Sequence, residues 1–94
     1  MAILHLINKP GEPINLCQRT LTSGDGILLL EDGIYLLNSN TSLLSTLTEN
    51  HSIYFLDNDH RARGTLVHVK NIIAVDYAQF VDLTICYDHV ISWF

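Results

Sequence analysis

An open parallel β-sheet with helices on both faces is the fold class this sequence predicts. Three observations carry it. Ile27-Leu28-Leu29-Leu30 is an unbroken apolar run bounded by turn residues, the pattern of a strand buried on both sides. β-prone runs alternate with helical pieces at intervals of roughly 20–25 residues, as in βαβ units. The runs end in Pro-Gly or acidic stretches that suit turns and helix starts. Together they describe a small sheet of four to five strands joined by right-handed crossovers.

Ile3-Leu4-His5-Leu6-Ile7 is the first strand, and Asn8-Lys9-Pro10-Gly11 breaks it. Glu12-Pro13 suits a helix start, and the helix is expected over 13–22, with Ile14, Cys17 and Leu21 on one apolar face. Ser23-Gly24-Asp25-Gly26 stops it, and the central strand 27–30 follows. Glu31-Asp32-Gly33 reads as the tight turn where that strand leaves the core, with Gly33 free to take positive φ. One helical turn is expected at 34–37. A short helix over 42–48 comes next, capped by Thr41 or Ser42. The third strand is 51–56. Asp57-Asn58-Asp59 suits the cap of a helix over 59–63 that Gly64 closes. The segment 66–70 reads as either loop or strand. Ile72-Ile73-Ala74-Val75 is the fourth strand, and Asp76 suits the cap of a helix over 77–85. The stretch 90–94 is a short last strand or a docked terminus. The chain shows no repeat, linker or low-complexity segment, so residues 1–94 form one domain.

The composition is unusual for that size. Hydrophobic residues make up 48% and charged ones 16%, against a typical charged share of about 25%. A domain this small hides only about 60–65% of its unfolded surface. The apolar excess therefore points to a subunit interface. The formal net charge is −5 and no basic run occurs, which argues against direct nucleic-acid binding. No apolar run is long enough to span a membrane and no signal-peptide pattern opens the chain, so the expected location is the cytoplasm. There Cys17 and Cys86 are expected as thiols rather than a disulfide.

Most catalytic motifs are missing. The first strand ends in Asn8-Lys9, without the acidic pair of a phospho-acceptor domain. Gly24-Asp25-Gly26 precedes a strand, whereas a dinucleotide fingerprint follows one. There is no Walker motif, no serine nucleophile elbow and no Cys-x-x-Cys. His5, His51, His60, His68 and His89 lack ligand spacing. The acids at 31–32, 57–59 and 76 invite a metal reading, yet each also suits a helix cap. No cofactor and no metal site is expected. The thiols remain. Cys17 falls in the first half of the expected first helix, where the dipole favours thiolate, and Lys9 and Arg19 are near in sequence. It also shares the apolar face of Ile14 and Leu21, as a core cysteine would. Cys86 ends the last helix, where the dipole works against negative charge.

In this order the residues resemble the DsrH/TusB family, the small subunit of bacterial sulfur-relay complexes. The resemblance runs nearly end to end. It rests on Ile3-Leu4-His5, Cys17, Leu29-Leu30-Glu31-Asp32-Gly33-Ile34-Tyr35, Asp59 with Ala62-Arg63-Gly64, Asp76-Tyr77 with Phe80-Val81 and Leu83-Thr84, and Trp93. It implies a DsrE-like α/β domain. It implies assembly with TusC/DsrF-like and TusD/DsrE-like subunits into a hexamer holding two copies of each. The donor would be TusA-like and the acceptor TusE/DsrC-like. In the Tus branch such a complex relays persulfide sulfur toward 2-thiolation of the tRNA wobble uridine. In the Dsr branch it serves the oxidation of stored sulfur. The resemblance fits both branches, with the tRNA branch preferred. Sulfurtransferase activity would belong to the complex. A cysteine that some members carry in the first helix falls on Cys17, the candidate persulfide carrier. Other members lack it and act as structural subunits, the sulfur acceptor lying on the DsrE/TusD-like partner.

Overall fold

The structure, a computed structural model, describes residues 1–94 apart from Leu66 and His68. The loop-or-strand expectation at those two residues lies outside the described residues. Among the described residues five parallel strands form one sheet: β1 (Ile3–Ile7), β2 (Gly26–Leu29), β3 (Ser52–Leu56), β4 (Ile72–Val75) and β5 (His89–Trp93). The order is β4-β3-β2-β1-β5, so β4 and β5 are the edges. The helices are α1 (Glu12–Thr20), α2 (Leu36–Ser39), α3 (Thr41–Leu47), α4 (Asp57–Arg63) and α5 (Tyr77–Cys86). A 3-10 segment at Glu31–Tyr35 runs into α2.

The order decides where the helices go. From β1 to β4 the chain steps in one direction, and right-handed crossovers keep those connections on one face. The last step returns across the sheet to β5, so the same handedness sends α5 to the other face. The two faces are covered unequally. On the first, Ile7, Ile27, Leu29, Ile53 and Phe55 pack with residues of α1, α2, α3 and the 3-10 segment. On the second, Leu4, Leu6, Leu28, Leu56 and Val75 meet Phe80 and Leu83 of α5. The residues of β2 are all buried, as expected of a strand between two others.

Several local expectations need correction. Helix α1 ends at Thr20, not at 22, and Gly26 belongs to β2. The turn after β2 is helical from Glu31 onward. Glu31, not Gly33, has positive φ, at 50°. Gly33 is required for a different reason. A Cβ there would run into the carbonyl oxygen of Ile7, which accepts from the Leu30 N–H at 3.1 Å. The close approach of this turn to the end of β1 therefore leaves no room for a Cβ unless the turn or β1 shifts. Helix α3 starts after Asn40 and α4 after Leu56, and no side chain caps either one. The expected caps from Thr41, Ser42 and 57–59 thus do not form. Asp76 does cap α5: it accepts from the Gln79 N–H, and the Gln79 side chain accepts from the Asp76 N–H. Gly64 closes α4 in the left-handed conformation, φ 62°.

Candidate functional site

Cys17 is the sixth of nine residues in α1, past the turn in which the helix dipole favours a thiolate. Its side chain is fully buried in the first core with Ile14. Burial, and after it the charge of Asp25, pushes the thiol up to about 12. Near neutral pH the group is therefore a protonated thiol packed among aliphatic side chains, chemically a small hydrophobe. The nearby charge is an anion, so the help expected from Lys9 and Arg19 is not what the thiol feels. Cys86 is exposed at the end of α5, and both cysteines are free.

The polar centre of the chain lies elsewhere. Asp25 sits in the turn before β2 and is buried, as is His5 in the middle of β1. Its carboxylate accepts from the Ile3 N–H at 3.0 Å, from the Thr22 N–H at 3.2 Å and from His5 Nε2 at 3.0 Å. Burial pushes this carboxyl up, but the hydrogen bonds from His5, Ile3 and Thr22 outweigh it and hold the group below the usual carboxylate range. The Trp93 indole N–H donates to His5 Nδ1 at 3.0 Å. An indole N–H can only donate, so Nδ1 is the bare nitrogen and Nε2 carries the hydrogen toward Asp25. One chain of hydrogen bonds thus joins β5 to β1 and β1 to the turn before β2. His51 Nδ1 adds a bond to the Asp25 carbonyl at 3.0 Å. Position in the sequence hides this network, since its members lie up to 88 residues apart. One signal was available: His5 is a polar residue between Leu4 and Leu6 in an otherwise apolar strand, which marks a buried group needing partners.

Three of the acids at the strand ends, Asp32, Asp57 and Asp59, meet a backbone N–H or the arginines of α4. Asp59 accepts from the Glu31 N–H at 2.6 Å. Arg63 donates from Nε to Asp32 at 3.1 Å and lies 3.8 Å from Asp59. Arg61 pairs with Asp57 at 2.8 Å. The Glu31–Asp59 and Arg63–Asp32 bonds tie the 3-10 segment to α4, and the other two pairs lie within α4.

A cavity of about 540 Å3 opens at the carboxyl ends of β1 and β5, lined among others by Lys9, Pro13, Leu16, Ser92 and Trp93. Between these strands the order of connections reverses, the place where open α/β sheets take ligands. Cys17 does not reach it. Its neighbour Leu16 lines the cavity, while Cys17 turns into the core.

Comparison with known proteins agrees with this architecture. The family model described as DsrH like protein matches residues 10–90. Protein TusB of Yersinia enterocolitica is 34% identical over 77 residues, covering 80% of this chain and 81% of that protein. Protein TusB of Escherichia coli is 36% identical over the same shares of the two chains. Among solved structures, the ychN protein from E. coli superposes with a TM-score of 0.73 at 15% identity, covering 97% of both chains. Tm0979 from Thermotoga maritima gives 0.61 at 23% identity over 92% of this chain and 93% of that one. At these identities the two structures speak for the fold alone.

Proposed function

The chain belongs to the DsrH family, and from that premise we propose that it is a TusB-like interaction subunit of a sulfur-relay complex. The observation that carries this reading is its identity to TusB proteins over four fifths of its length. In this reading the partners are TusC/DsrF-like and TusD/DsrE-like subunits, assembled with it in a cytoplasmic hexamer. Sulfur arrives from a TusA-like donor and leaves on a TusE/DsrC-like acceptor, and the product is 2-thiouridine at the tRNA wobble position. The TusB identity of the relatives favours this branch over oxidation of stored sulfur.

Within such a complex the chain shapes and stabilises the assembly, and the persulfide rides on a partner. The state of Cys17 supports this. Thiol–disulfide exchange needs an accessible thiolate, and Cys17 is fully buried, with its thiol pushed up to about 12. The exposed apolar side chains support the interaction role: Tyr77, Val81 and Ile85 lie more than half exposed.

The test is the 2-thiouridine content of tRNA, measured by mass spectrometry in a strain lacking this chain. Loss of the thiolated nucleoside, restored by the chain and by its Cys17→Ala variant, is the expected result. Unchanged thiolation in the deletion strain would refute the proposal.

A further inference from the structure

Helix α5 carries two apolar stripes where a surface helix needs one. Phe80 and Leu83 face the sheet and join the second core. Tyr77, Val81 and Ile85 recur every four residues and so line one face of the helix. At about 100° per residue this face is turned roughly 120° from the first. These three side chains are 56%, 55% and 76% exposed, and no residue of α5 is buried. Ile73 alternates with Val75, which packs against α5, so it lies on the same sheet face. It is 48% exposed. Among the described residues α5 is the one helix on this side, and it leaves an apolar band from the β4 edge along its own length.

The charges around the band narrow what can cover it. From 71 to 94 the sequence holds Asp76, Asp82 and Asp88 and neither lysine nor arginine. All three aspartates are exposed. A second copy docking through the same face would set acids against acids around a shared apolar contact. A different chain with an apolar centre and a basic rim meets no such repulsion and gains electrostatic steering.

We infer that the Tyr77–Val81–Ile85 face of α5 is the docking surface for a different subunit, one whose matching apolar patch is rimmed by lysines and arginines. This rests on the proposed role as a subunit of a hetero-oligomer and names the surface and the chemistry of its neighbour.

The full chain, co-expressed with the TusC-like and TusD-like subunits of its own organism, provides the test. Association is measured through a tag on a partner subunit. Val81→Asp and Ile85→Asp each place a carboxylate inside the face and are expected to weaken association by ~10-fold or more. Ser45→Asp, on the exposed side of α3, is expected to change nothing. Asp82→Lys is expected to weaken binding less, and wild-type association is expected to fall as salt rises. Thermal melts check folding, and should an Asp variant melt early, the Val81→Ser/Ile85→Ser pair carries the same expectation. If the wild type associates and the α5 variants associate equally well, the surface lies elsewhere and the inference fails while the proposed function stands. If the wild type itself does not associate, the proposed function fails. If the isolated chain dimerises and Val81→Asp returns it to monomer, the occupant is a second copy and the inference is overturned.

Discussion

Asp25→Asn keeps the shape of a buried side chain and removes its charge. The carboxylate serves three donors: the N–H groups of Ile3 and Thr22 and the Nε2–H of His5. An amide has one oxygen, so whichever way it turns, its NH2 opposes at least one of these donors. A buried donor left without an acceptor costs about 1–3 kcal/mol. The donors that still reach the oxygen lose charge assistance, at roughly 0.5–1 kcal/mol each. The variant is therefore expected to lose about 2–4 kcal/mol of stability. A chain of this length is stable by roughly 5–14 kcal/mol, so it still folds but unfolds earlier. With a slope of about 1.3 kcal/mol per molar urea, the midpoint falls by about 1.5–3 M. Acid gives a second signature. The folded carboxyl titrates below its unfolded value, which is about 3.9. As pH falls the unfolded chain binds the proton first. The stabilisation is thus complete at neutral pH and is lost as pH drops below about 4 toward the folded value. The gap between wild type and variant should narrow over that window. Urea titrations followed by circular dichroism at about pH 7, 5 and 3.5 read both effects. A midpoint within about 0.5 M of wild type, or a gap that stays constant into acid, would refute the reasoning.

Two further outcomes follow from the same geometry. Ellman's reagent should label Cys86 in the native chain and reach Cys17 only under denaturing conditions, because one is exposed and the other buried; equal rates at both sites would contradict the burial argument. Gly33→Ala forces a Cβ onto the Ile7 carbonyl and is expected to cost about 1–3 kcal/mol, seen by calorimetry as a Tm lowered by roughly 5–20 °C. An unchanged melt would mean that the turn can move away from β1.

The first four strands were legible because each is a short, mostly apolar run between clear breakers, whereas the sequence left 90–94 open between a strand and a docked terminus. Two of them, Ile3–Ile7 and Ile72–Val75, have the bounds that the sequence suggested. The cap at Asp76 was legible because capping is local chemistry, although the reciprocal bond from Gln79 was not foreseen. Of the stretch from Glu31 to Ser39 only the helical turn at 34–37 was legible. Its helical course depends on the fit of Gly33 against Ile7 and on the bond from the Glu31 N–H to Asp59, both contacts between residues distant in sequence. The same holds for the acids at 57–59, which look like caps and instead serve Glu31 and the arginines of α4. The spacing of Cys17 left two roles open, and its burial follows from how α1 packs on the sheet, which spacing along one helix does not give. The bond from Trp93 to His5 spans 88 residues and could not be read from spacing at all.

The intact mass of each subunit, after the co-purified complex has met a persulfide donor, tests the central claim most directly. A Cys86→Ser background removes the exposed thiol that could take up sulfur without specificity. The expected result is added sulfur on a partner subunit and an unchanged mass for this chain. Added sulfur on this chain that disappears with Cys17→Ser would contradict the reading and make the buried thiol a relay station.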